Sequence, residues 1–113
     1  MGVRAAGGYN ASQVSTQQRA VPTTGQTVTV TQTNAPRINL VIDPAGTLVA
    51  LTVAFPTGAF DGQVISFMTT QALTGLTLTT VTGTLVGALT TAALNAFATY
   101  VWNATTSVWY RIG

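Results

Sequence analysis

The sequence of 113 residues is long enough for one domain with a modest core, and only 5% of its residues are charged, against about 25% in ordinary soluble domains. The four Arg are dispersed, which excludes a basic nucleic-acid-binding surface, and Thr, Gly and Gln interrupt every apolar run before it could span a membrane. Since a surface with so little charge resists association poorly, we expect an oligomer rather than a monomer.

Residues 1–25 open the chain with a Gly pair, a Pro and little apolar periodicity. This pattern predicts an extended N-terminal arm, followed by a β-domain at residues 26–113. The composition alone would favour a disordered tail. As an arm, the segment could lie along a sheet edge or groove of a neighbour, with Arg4 and Arg19 available to meet carboxylates or carbonyls there.

After Gly25, short segments of alternating or β-branched residues follow one another, separated by Gly, Pro and Asp. They lie at residues 27–31, 38–42, 48–55, 63–68, 76–79 and 84–86. Strands at short, regular spacing predict an all-β fold, which we interpret as a compact antiparallel β-sandwich or barrel-like domain. Residues 89–96 are the exception, because their Ala and Leu content would suit a short helix, although two Thr disfavour it.

The chain ends on FATYVWNATTSVWYRIG, which alternates on both sides of a tight loop at residues 103–106. This pattern predicts a β-hairpin that carries Trp102, Trp109 and Tyr110. Neither face of the hairpin is plainly polar, so we expect both faces to be covered, one by the domain core and the other by a second subunit. These three side chains are therefore our candidates for subunit or capsid contact, together with Arg4 and Arg19.

The side chains that usually carry catalysis are nearly absent. The sequence has no His, Glu, Lys or Cys, so hydroxyl groups lack a base that could activate them. Asp43 and Asp61 could in principle pair as in a glycosidase, but each lies in a turn sequence that accounts for it. Two carboxylates with backbone carbonyls would suit at most a weak calcium site. We therefore predict no enzyme, no catalytic or metal residues and no cofactor.

Three parts of the sequence resemble a β-rich module that recurs in tailed-bacteriophage virion proteins, among them capsid decoration proteins, head fibres and tail-fibre ends. The matching parts are the turn Asp43-Pro44-Ala45-Gly46-Thr47-Leu48, the turn Asp61-Gly62-Gln63 and the ending Trp109-Tyr110-Arg111-Ile112-Gly113. The resemblance covers about residues 39–113 and leaves the predicted arm outside it.

The resemblance implies a structural virion protein that decorates and stabilises the capsid exterior after synthesis in the host cytoplasm. Its expected partners are the major capsid protein and itself as a homotrimer, without nucleic acid or membrane. The arm would then fasten the β-domain to the capsid shell or to a sister subunit. The alternative is a receptor- or glycan-binding module of a head or tail fibre, in which the aromatic residues of the hairpin stack on sugar rings.

Overall fold

The computed structural model describes residues 15–113, and all regular structure in this part of the chain is β. The strands are β1 (Ser15–Ala20), β2 (Thr27–Thr29), β3 (Arg37–Ile42), β4 (Leu51–Phe55), β5 (Val64–Thr69), β6 (Leu76–Thr80), β7 (Thr84–Val86), β8 (Phe97–Asn103) and β9 (Val108–Arg111). They form a six-stranded sheet in the order β1-β3-β5-β8-β9-β7 and a three-stranded sheet in the order β2-β4-β6. The predicted all-β fold class is confirmed.

The chain winds between the two sheets in successive coils, which gives a solenoid-like arrangement. Strands β1, β3 and β5 pair in parallel in the larger sheet, and β2, β4 and β6 pair in parallel in the smaller one. The first coil is therefore β1 with β2, the second is β3 with β4, and the third is β5 with β6. In the smaller sheet Thr27 pairs with Thr52 and Leu51 with Leu76, a repeat of about 25 residues, within the range of repeat architectures.

The prediction of an antiparallel arrangement is wrong for most of the molecule, and the chain does not form a plain sandwich or barrel. The turn after β3 does not close a hairpin, because the next strand, β4, lies in the other sheet. Alternating side chains mark a strand with one buried face, and they do so whether its neighbours are parallel or antiparallel. Only the pairs β5–β8 and β8–β9 are antiparallel among the named strands, and the second is the predicted terminal hairpin, which is confirmed.

The helical alternative for residues 89–96 is also wrong. Ala92 forms an isolated bridge with Leu73, and their backbone N–H groups donate to each other's carbonyls at 2.9 and 2.8 Å. Asn95 then turns the chain with a φ of 62°. Since these contacts use the backbone groups that a helix would need, the segment is held in an extended form. No helix that could cross a bilayer occurs among residues 15–113.

The hydrophobic core lies between the two sheets and is built from columns of side chains in register. Ile38 stands beside Ile65, and Leu40 beside Phe67, on the inner face of the larger sheet. The smaller sheet supplies Leu51, Val53, Phe55, Leu76 and Leu78 from the opposite side. Alternation along each strand thus places one set of side chains in the core and the other on the surface.

The C-terminal hairpin closes one end of this core with aromatic side chains. Trp102 pairs with Trp109 across the hairpin, with ring centroids 5.2 Å apart. Phe55 meets the rings of Tyr100 and Trp109 edge-on at 5.3 and 5.1 Å. Edge-to-face aromatic pairs at this spacing stabilise the folded state by more than the burial of their apolar area alone.

The first coil closes the other end with polar side chains. The inward residues of β1 include Thr16 and Gln18, which lie in register with Ile38 and Leu40 of β3. The Thr16 hydroxyl lies 3.2 Å from that of Thr33. Strand β1 falls inside the predicted arm, so part of that segment belongs to the larger sheet of its own domain. The rest of the predicted arm, residues 1–14, lies outside the described residues.

Candidate interaction surface

The surface of the larger sheet that points away from the core is the main candidate for binding. We call it the outer face. The register of the strands places its side chains in three rows: Ser15, Arg37, Val64, Val101, Tyr110 and Val86; Gln17, Asn39, Ser66 and Thr99; Arg19, Val41, Met68 and Phe97. Two of these rows are mainly apolar. Phe97 is 65% exposed, and Val41 and Met68 are half-buried.

A shallow groove of about 420 Å³ runs over the outer face beside Phe97. Its middle is polar, because the hydroxyls of Ser66 and Thr99 lie 3.1 Å apart and Arg37 Nε donates to Asn39 Oδ1 at 2.9 Å. The groove contains a guanidinium and hydroxyls but no carboxylate among its lining residues. The arrangement can hold an apolar side chain beside hydrogen-bonding groups, and it contains no base that could activate a nucleophile.

Two of the predicted contact residues, Trp102 and Trp109, lie in the core of their own chain. Trp102 is 7% exposed and Trp109 is 0% exposed. They line a small apolar cavity of about 140 Å³ with Pro56 and Thr82. They therefore present no exposed aromatic platform, and a partner could touch only the rim of Trp102.

The other predicted contact residues are distributed differently. Tyr110 lies half-buried on the outer face, where its hydroxyl donates to Thr106 Oγ1 at 3.2 Å. Arg19 of β1 lies on the outer face beside Val41, and its Nη2 donates to Asp43 Oδ2 at 2.6 Å. Arg4 lies outside the described residues. The structure thus brings Tyr110 and Arg19 to the outer face but separates them from both Trp side chains.

The two carboxylates have structural partners rather than each other. Asp43 accepts a hydrogen bond from the Thr70 hydroxyl at 2.8 Å as well as the contact from Arg19. The Arg19 guanidinium, followed by Thr70, holds the pKa of Asp43 below its ordinary value. Asp61 Oδ1 accepts the N–H of Ala104 at 2.9 Å, which ties the β5 turn to the hairpin loop. No group of three potential metal-binding side chains occurs in the described part of the chain.

Gln63, the last residue of the turn Asp61-Gly62-Gln63, is buried and anchors the loop before β3. Its Nε2 donates to the carbonyls of Thr33 and Ala35 at 3.1 and 3.0 Å, and its Oε1 accepts from Gln32 Nε2 at 3.0 Å. Burial of the amide costs little free energy because its hydrogen bonds are satisfied. Loss of the amide would leave the two carbonyls and the Gln32 amide without this partner. This turn therefore joins the loop before β5 to the loop before β3 at one end of the sheets.

Tyr100 is a buried phenol with a structural role. Its hydroxyl donates to the carbonyl of Gly87 at 2.8 Å. Burial raises the pKa of Tyr100 above its ordinary value. The phenol thus stays neutral and links the hairpin to the end of β7.

No protein-family model matches the chain, and no curated protein matches it in sequence. Its fold is similar to a chain in a solved structure described as "Structure of a chaperone-substrate complex", with a TM-score of 0.62 and 18% sequence identity. The similarity covers 85% of this chain but only 17% of that much longer chain. At this identity the likeness shows the fold alone.

Sequence reasoning missed Phe97 and Met68 as candidate surface residues. The signal was present in the observation that both faces of the hairpin are apolar. The first face is now the core, with Ala98, Tyr100 and Trp102, and the second is the outer face, with Phe97 and Val101. A second signal, the repeat that predicts parallel coils, would have placed Met68 on the same surface.

Proposed function

We propose that this chain is a structural virion protein that decorates and stabilises the outside of a tailed-phage capsid as a homotrimer. The observation that carries the proposal is the outer face, whose two apolar rows hold only two charged side chains, Arg37 and Arg19, the second of which is paired with Asp43. Burial of one large apolar side chain contributes about 1.5–3 kcal/mol. Contact through this face would thus stabilise an assembly without ion pairing.

The chemistry of the described surface supports the same function. Binding through the outer face requires shape and apolar area, and both are supplied by β-branched and aromatic side chains held on a rigid sheet. Subunit interfaces of homo-oligomers are more apolar than the rest of a protein surface. The phage-like turns add support, because each of them joins neighbouring parts of the fold and so serves the scaffold that presents this face.

The capsid partner can be tested with particles of the phage that encodes the chain, assembled without it. The wild-type protein should co-sediment with these particles and have, by light scattering, the mass of a trimer or of a whole number of trimers. Phe97→Asp, which places a charge in the outer face, should lower both capsid occupancy and trimer formation at least tenfold. Val81→Asp is the matched control, because Val81 is 81% exposed but lies in the loop before β7.

Two results would contradict the proposal. Wild-type protein that leaves capsids bare at micromolar concentration would remove the capsid role. A Phe97→Asp variant that decorates capsids as fully as Val81→Asp would remove the outer face as the attachment surface. Circular dichroism of both variants shows that a loss of binding is not a loss of fold.

A second candidate is glycan binding by a head- or tail-fibre module, and the groove itself favours it. The exposed ring of Phe97 lies beside the Ser66 and Thr99 hydroxyls and near Arg37, as a sugar-stacking site would require. A glycan array distinguishes the two functions. Binding that Phe97→Ala abolishes, without capsid decoration by wild type, would favour the fibre module.

A further inference from the structure

Strand β1 forms one edge of the larger sheet. All six of its residues pair with β3 in unbroken register, from Ser15 beside Arg37 to Ala20 beside Ile42. Within residues 15–113, β3 is its one sheet neighbour. The opposite side of β1 is therefore a row of backbone groups that the described part of the chain does not pair.

The direction of these groups follows from one hydrogen bond. The Ala20 carbonyl accepts the N–H of Asp43 at 2.8 Å, so Ala20 points its backbone groups toward β3. Alternate residues of a strand point to opposite sides. Gln17 and Arg19, with Ser15, therefore direct three N–H groups and three carbonyls toward the open side.

Apart from Arg19, whose charge is paired with Asp43, this edge lacks the features that usually prevent strands from pairing. Its sequence, STQQRA, contains no Pro, Lys or bulge. Of the other edge strands, β2 and β7 have only three residues each. Beyond β2, the Gln18 side chain binds both the N–H and the carbonyl of Thr31, at 2.9 and 2.7 Å.

We propose that β1 pairs with β1 of a second copy of this chain, antiparallel about a two-fold axis at Gln17. Gln17 then lies opposite Gln17, and Ser15 opposite Arg19, so the outward groups of both copies match in about six hydrogen bonds. Thr16 lies opposite Gln18 on the inner side, so a polar side chain of one copy meets a polar side chain of the other. No like charges meet directly, because Arg19 faces Ser15 and has Asp43 as its own partner.

The polar character of the edge separates this contact from the trimer proposed above. Trimer contact uses the apolar outer face, whereas the β1 contact uses backbone hydrogen bonds at the end of the first coil. The inference does not depend on the proposed function. The β1 contact alone gives a dimer, and together with the trimer contact it gives a hexamer when its two-fold axis crosses the three-fold axis at a right angle.

The first test removes one N–H from the open edge. Gln17→Pro removes an outward N–H and leaves the hydrogen bonds between β1 and β3 in place, whereas Gln17→Ala keeps the N–H. Light scattering should show that Gln17→Pro halves the particle mass of wild type and that Gln17→Ala does not change it. Equal masses for wild type and Gln17→Pro overturn the inference, whether or not the trimer exists.

The second test does not require the proline variant to fold. The chain has no Cys, and residues opposite each other in a hydrogen-bonded antiparallel pair have Cα atoms about 5.5 Å apart, a distance that a disulfide spans. Gln17→Cys should therefore form covalent dimers under mild oxidation at micromolar concentration. Val81→Cys is the exposed control and should stay monomeric on a non-reducing gel. Similar crosslinking of both variants, or of neither, overturns the inference.

Discussion

The two ends of the coil stack are closed by different chemistry. At the C-terminal end, Trp102, Trp109 and Tyr100 fill the space under the hairpin, and none is more than 7% exposed. At the N-terminal end, Thr16 and Gln18 occupy the corresponding inward positions of β1 and meet hydroxyl and backbone groups. In repeat architectures a polar side lets a coil face water. We therefore expect the aromatic end to supply most of the stability of the fold, and the polar end to leave the edge of β1 open to pairing with another strand.

The largest expected effect is loss of the aromatic closure. Trp109→Ala should lower the free energy of unfolding by about 3–5 kcal/mol, because Trp109 is 0% exposed and contacts Phe55 and Trp102. Urea unfolding measures the change. Phe97→Ala, on the outer face of the same hairpin, should cost less than about 1 kcal/mol in dilute protein. Equal losses would show that the hairpin does not close the core.

Two glycines at matching positions of successive coils offer a sharper comparison. Gly58 and Gly83 have φ values of 77° and 76°. A Cβ at Gly58 would meet nothing within 4 Å, whereas a Cβ at Gly83 would overlap the Ser107 carbonyl and crowd Trp102. Gly58→Ala should thus cost about 1–2 kcal/mol from φ alone. Gly83→Ala should cost about 2–4 kcal/mol because the hairpin loop must also shift.

Thermal and urea unfolding of the two variants check this difference. A Gly83→Ala variant no less stable than Gly58→Ala would contradict the close packing of the hairpin loop on the β6–β7 turn.

At the polar end we expect smaller changes. Gln18→Ala removes two hydrogen bonds to Thr31, and each is worth about 0.5–1.5 kcal/mol. Because the groups are exposed and water can replace the amide, the loss should be near 1 kcal/mol in dilute protein. Gln17→Ala, whose side chain points outward from the same strand, is the control and should change stability by less than about 0.5 kcal/mol. If Gln18→Ala lowered the free energy of unfolding by several kcal/mol, the first coil would contribute a large part of the stability of the fold, contrary to this prediction.

The smallest effect concerns pH. The hydrogen bond from Arg19 holds the pKa of Asp43 in the folded protein below its ordinary value of 3.8, so its ionised form is favoured by folding. The resulting stability is present above the unfolded pKa and is lost as pH falls through the folded one. Asp43→Asn should therefore flatten the decline of stability below about pH 4. Urea midpoints measured between neutral and acid pH test this, and parallel curves for the variant and wild type would contradict it.

The sequence was sufficient to predict the fold class and the terminal hairpin, because alternation and a polar loop are local signals. It did not reveal the parallel coils, since alternation is the same in both pairing directions. The repeat that joins Leu51 to Leu76 and Val53 to Leu78 carried this information, but Thr-rich segments hide it.

The candidate site was partly predictable for the same reason. Two apolar faces on the hairpin indicated that one of them meets the core and the other does not. Which face each Trp joins depends on the cross-strand register that pairs Trp102 with Trp109, and this register is set by the loop. The role of Gln18 could not be predicted, because its partner Thr31 lies in another strand layer and the segment has no apolar periodicity.

Native-state hydrogen exchange in dilute protein tests the difference between the two ends most directly. The N–H of Trp102 donates to Gln63 at 2.9 Å under the hairpin, and the N–H groups of Gly25 and Asp43 donate to Ala50 and Ala20 at 2.7 and 2.8 Å in contacts of the first coil. We predict that the Trp102 amide exchanges only through global unfolding, with the full dependence on denaturant. The Gly25 and Asp43 amides should exchange through a smaller opening of lower free energy. Exchange of all three amides with one free energy and one denaturant dependence would contradict the account.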